Sequence, residues 1–106
     1  MGTTTVRTRE GYGPNRVQVR ITPGNPPKIN QPSVILFVSE NQEIMWECPA
    51  NFEVSFKSES PFKGTKFDNA NPLSGPPIVA SDPKKKYYYR VSAGGATVDP
   101  DVIIQP

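Results

Sequence analysis

The chain has 106 residues, with 12 Lys+Arg against 10 Asp+Glu, 13 Pro, 8 Gly, one Cys and no His. That length suits one small domain, and the lack of His removes Ser-His-Asp and Cys-His catalysis, imidazole metal sites and histidine pH switches. A net charge of +2 is too weak to imply a nucleic-acid or anionic-membrane partner, and a lone Cys48 cannot close an intrachain disulfide.

Residues 1–16 contain Arg7, Arg9 and Arg16 but only Val6 and Tyr12 as sizeable apolar groups. Such a stretch buries too little to offset chain ordering and reads as a flexible basic arm. The start lacks the apolar run of a secretory signal. The longest apolar run, Val34-Ile35-Leu36-Phe37-Val38, falls far short of the roughly 20 residues that cross a bilayer. These features favour the cytoplasm.

Residues 17–106 read as a single domain. Val17, Val19 and Ile21 alternate with Gln18 and Arg20, the period of a half-buried strand. Pro23-Gly24-Asn25-Pro26-Pro27 interrupts that strand, and Ser33 to Val38 is continuously apolar and β-branched, as in a central strand. After a turn at Ser39 to Gln42, Ile44, Trp46 and Cys48 share one face. Phe52, Val54 and Phe56 repeat the alternation after Pro49-Ala50-Asn51. Residues 58–77 are rich in Pro and Gly and admit no long regular element, with Phe62, Phe67 and Leu73 as spaced anchors. Ile78-Val79-Ala80 reads as a short strand and Lys84-Lys85-Lys86 as a solvated turn guarding a sheet edge. Tyr87, Tyr89 and Val91 then share a core-facing side, and Thr97-Val98 and Asp101 to Gln105 close the chain. No Pro-free segment shows helical periodicity. The expectation is an all-β Greek-key sandwich of about seven or eight short strands.

Three passages resemble the cupredoxins, the sandwich fold of small blue copper proteins. Glu43-Ile44-Met45-Trp46 is similar to the strand that places Trp before the first copper-ligand region. Phe52-Glu53-Val54 followed by Ser60-Pro61-Phe62 looks like the family's His-x-Val and Ser-Pro-Phe neighbourhood, with Phe52 at the histidine position. Tyr87-Tyr88-Tyr89-Arg90-Val91 resembles the penultimate strand that ends in the thiolate ligand, here Val91. The resemblance implies the fold across 17–106 but not the metal, because type-1 copper needs two imidazoles and a thiolate. An immunoglobulin- or fibronectin-like sandwich is the alternative, without the Cys pair of a true immunoglobulin.

No catalytic residue, cofactor or metal ligand is expected. Cys48 reads as a buried small hydrophobe. Tyr87 and Tyr89 are assigned to the core, which leaves Lys84–Lys86 little aromatic surface for stacking nucleic-acid bases. The expected function is a non-catalytic, copper-free binding or assembly module that recognises a protein partner or another copy of itself. Its contact surface is placed on loop 58–77, through Phe62, Phe67, Leu73 and Pro76, with loop 94–100 beside it and Arg7, Arg9 and Arg16 adding charge. The alternative is a carboxylate-based Ca²⁺ or carbohydrate accessory domain using Asp99 and Asp101.

Overall fold

The computed structural model describes residues 15–106. Arg7 and Arg9 lie outside them, so the contact role expected of those two residues falls outside the described structure. The strands are β1 (Asn15–Thr22), β2 (Lys28–Ile29), β3 (Ser33–Phe37), β4 (Gln42–Glu47), β5 (Glu53–Phe56), β6 (Lys66–Asp68), β7 (Asp82–Ser92), β8 (Thr97–Val98) and β9 (Asp101–Gln105). A 3₁₀ turn, Val38–Glu40, joins β3 to β4 and ends on Asn41 in the left-handed conformation (φ 52°). The all-β class read from the sequence is what the chain adopts.

Two sheets face one another. The smaller has the order β2-β1-β4, and the larger β3-β9-β7-β5-β6 with β8 beside β7. Each contains a parallel pair. β1 runs with β4 in a register that sets Val17 opposite Ile44 and Val19 opposite Trp46. β3 runs with β9, setting Ile35 opposite Ile103. Parallel neighbours need a long connection; between β1 and β4 the chain supplies it by crossing to the other sheet and forming β3.

The inward faces interdigitate as the alternation predicts. Val19, Ile21, Ile44 and Trp46 from the small sheet meet Val34, Leu36, Val54, Tyr89, Val91, Val102 and Ile104 from the large one. Trp46 bridges the layers, stacked on Phe67 at 4.9 Å and edge-on to Tyr89 at 5.6 Å between ring centroids. Cys48 is only half-buried and packs at the margin of this core.

Four local expectations are corrected. β1 begins at Asn15, so Arg16 belongs to a strand rather than to the arm. Val38 leaves β3 for the 3₁₀ turn. Residues 78–80 form no strand, because the Ile78 N–H is taken by the Pro61 carbonyl at 2.8 Å. The segment Lys84–Lys86 lies within β7, which starts at Asp82 and carries an irregularity in its pairing with β9.

Candidate partner-binding site

The outer edge of β4 is not open. Residues 72–74 run along it as a strap: Trp46 N–H donates to the Pro72 carbonyl (3.0 Å), Ser74 N–H to the Ile44 carbonyl (2.9 Å), and Ile44 N–H to Ser74 Oγ (2.8 Å). Ser74 Oγ in turn donates to the Gly75 carbonyl at 2.8 Å. The strap covers the side of β4 that alternation assigns to solvent, which explains why consecutive residues Glu43 and Ile44 are both buried.

Glu43 is the unexpected member. Its carboxylate is 4% exposed, accepts the Gly75 N–H on Oε1 at 3.0 Å, and holds Arg16 Nε on Oε2 at 3.3 Å. A buried carboxylate must be paired and hydrogen-bonded to stay charged, and both conditions are met. Arg16 is therefore engaged in stapling β1 to the strap.

Above Glu43 opens a groove of about 520 Å³. Lys63, Gly64, Phe67, Asn71, Leu73, Ser74, Gly75, Pro76 and Ile78 complete its lining. The loop wall is stiffened by Ser60, whose Oγ donates to the Gly64 carbonyl (2.7 Å) and accepts the Phe62 N–H (3.0 Å). A Cβ at Gly64 would approach the Phe67 ring to 3.2 Å, so a larger residue there needs the ring to give by a few tenths of an ångström. At the rim Ile78 is 68% exposed, the most exposed large apolar side chain among the described residues.

The expected contact residues divide. Leu73 and Pro76 do line this groove, half-buried and exposed respectively. Phe67 contributes to its lining but is buried, opposite Val54 on β5. Phe62 is also buried, edge-on to Phe56 at 5.6 Å, and packs behind Phe67 without lining the groove itself. Both aromatics help to cap the sandwich, and Phe67 also contributes to the groove wall.

Of the 94–100 loop, Asp99 reaches Lys57 at 3.1 Å, next to the start of the 58–77 loop, while none of its residues lines the groove. β5 and β7 pair antiparallel with Glu53 opposite Ser92, so the turn after β7 and the turn after β5 lie at opposite ends of β5. Residues 93–96 dock on the 23–25 turn: Gly24 N–H donates to the Ala93 carbonyl (3.0 Å) and Ala96 N–H to Asn25 Oδ1 (2.8 Å).

The two aspartates are engaged separately. Asp99 bridges Lys57 (3.1 Å) and Arg90 (3.9 Å), beside a shallower hollow of about 300 Å³ lined by Ser55, Phe56, Lys57 and Arg90. Asp101 accepts the Ser33 hydroxyl at 2.6 Å. Among the described residues, no group of three or more His, Cys, Asp or Glu side chains is placed to hold a metal ion.

Sequence reasoning missed Glu43, Lys63, Ser74 and Ile78. Only Ile78 carried a signal, an isolated large apolar residue after Gly75-Pro76-Pro77. The burial of Glu43 depends on a strap distant in sequence. No protein-family model matches the chain, and neither curated proteins nor solved structures give a match.

Proposed function

We propose that this chain is a non-catalytic, copper-free, cupredoxin-like binding module that takes a protein segment into the groove between the 60–64 loop and the 72–78 strap. The observation that carries the reading is Ile78, held exposed beside Lys63 with its N–H fixed on the Pro61 carbonyl. An apolar rim with one cation suits an extended segment that offers an apolar side chain next to a carboxylate. The cation on this surface is Lys63, because the deeper pair of Arg16 and Glu43 neutralises itself. Stiff loops lose little entropy when covered.

Support for the cupredoxin resemblance comes from where two of the family's ligand positions fall. Phe52 immediately precedes β5, and Val91 lies on the adjacent strand β7 opposite Val54. Both are buried in the core, so that region is filled by apolar packing. The carboxylate alternative finds its oxygens occupied by Lys57, Arg90 and Ser33.

Selection of random displayed peptides on the full chain tests the groove. The expected binders pair a large aliphatic or aromatic residue with Asp or Glu and lose binding to Ile78→Glu and Lys63→Glu. Peptides that bind those variants as well as the parent would refute this assignment.

A further inference from the structure

A second surface, on the opposite sheet, bears a different kind of complementarity. β3 is the terminal strand of the large sheet. Asp101 N–H donates to the Pro32 carbonyl at 3.0 Å, which fixes the phase of the parallel ladder: Val34 and Leu36 turn their peptide groups toward β9. The peptide groups of Ser33, Ile35 and Phe37 therefore point away from the sheet. The Phe37 N–H is met by Gln42 Oε1 at 2.8 Å. Among the described residues the others on this edge have no partner strand.

Natural sheets guard such edges with charge, Pro or a covering segment. The rest of this molecule does so. β4 is covered by the strap, β6 carries Lys66 and Asp68, and β2 is two residues long behind Pro26 and Pro27. β3 has no such guard: Ser33 to Ser39 contains no charge and no Pro. Beyond Ser33, its outward side chains are apolar and open, with Ile35 46% and Phe37 41% exposed, and Val38 beyond them 47%.

We infer that β3 is a self-association edge, where two copies of this chain join antiparallel about a two-fold axis at Ile35 and extend the large sheet across both molecules. The occupant follows from the edge itself. Pro32 ends the pairing on one side and the 3₁₀ turn on the other, so the usable stretch Ser33–Phe37 is symmetric about Ile35. With Ile35 facing its own counterpart, Ser33 falls opposite the second copy's Phe37. The Ile35 groups then match one another and each Ser33 N–H meets the second copy's Phe37 carbonyl, while the Phe37 N–H stays with Gln42 and the Ser33 carbonyl opposite it gains no donor. No charge meets a like charge across the axis, which a strand of arbitrary composition does not guarantee. A five-residue edge is small beside the roughly 1,200–2,000 Å² of stable interfaces, so the dimer is weak and concentration-dependent.

Sedimentation velocity on the full chain, from micromolar to millimolar and in reductant so that Cys48 cross-links do not contribute, tests this. The expected result is a rise in mass from monomer toward dimer, with slower amide exchange at Ile35 as concentration rises. Ile35→Lys places two cations on the axis and should weaken the dimer by at least about tenfold. Its circular dichroism should stay unchanged, because the substituted side chain faces outward. Tyr88→Lys, also outward but on β7, should dimerise as the parent does. A parent that remains monomeric at millimolar concentration overturns the inference, as does an Ile35→Lys variant that still dimerises. A dimer that disappears when residues 1–14 are removed also overturns it, since the arm would then be the occupant. Ile78→Glu leaves this edge intact, so failure of the groove reading would not imitate failure here.

Discussion

Trp46 and Tyr89 meet where the two sheets touch, and each buries a polar atom that finds no hydrogen-bond partner: the indole Nε1 and the phenol Oη. Burial pushes the Tyr89 hydroxyl up to about 12. The phenol is thus neutral in the folded chain at a pH where an unfolded tyrosine has already ionised. Its contribution to stability is complete below about pH 10 and is lost as pH rises from 10 through 12. That contribution is about 3 kcal/mol, taking roughly 1.4 kcal/mol for each tenfold change in proton affinity. Urea midpoints measured from pH 9 to 12 should fall across that window. Tyr89→Phe should flatten the fall, and at neutral pH it should be neutral or stabilising by about 1 kcal/mol, because an unsatisfied group is removed without opening a large cavity. Trp46→Ala, by contrast, should cost about 3–5 kcal/mol in the same assay. Phe52 and Val91 belong to this scale as well. With apolar side chains at both positions, titration with Cu²⁺ should give no intense blue thiolate-to-copper absorption.

At the scale of elements, the 72–74 strap pairs with the outer edge of β4 and, through Ser74 and Gly75, helps to bury Glu43 and line the groove. Ser74→Ala leaves the Ile44 N–H without its acceptor and should cost about 1–3 kcal/mol in chemical denaturation. The same change should loosen peptide binding at the groove more than it changes the core fluorescence of Trp46. The strands were legible where alternation ran for five residues or more, as at Val17–Ile21 and Tyr87–Val91. β6 was not, because Lys66-Phe67-Asp68 is too short to show a period; only its pairing with β5 defines it. Residues 78–80 misled in the other direction, since β-branched composition cannot reveal that a loop carbonyl at Pro61 already claims the Ile78 N–H. The aromatic anchors of 58–77 were visible, but not which way they pointed. Phe62 and Phe67 turn inward because Phe56, Val54 and Trp46 offer them an aromatic cluster, an arrangement made by tertiary contact alone. Glu43 was illegible for a related reason. Alternation assigns it to solvent, and only the strap and Arg16 make its burial tolerable.

For the molecule as a whole, the two proposed recognition surfaces lie on different parts of the sandwich: a groove beside the small sheet and the β3 edge of the large one. They are separable by mutation, so Ile78→Glu and Ile35→Lys should each abolish one association and spare the other. The parallel pairing of β3 with β9 has a further effect. β9 comes last among the strands yet lies inside the large sheet, between β3 and β7, and the hydroxyl of Ser33 reaches a carboxylate 68 residues away. While the polypeptide emerges from a ribosome, β3 therefore exists without its one neighbour in the sheet, β9, and the large sheet cannot be completed until Asp101–Gln105 has cleared the exit tunnel. Nascent chains arrested before that point should be protease-sensitive throughout the large sheet, and release of those five residues should confer resistance in a single step. For a slow, non-local topology of this kind, the most aggregation-prone strand is exposed longest during synthesis, where crowding among neighbouring ribosomes on one message would bring copies of it together.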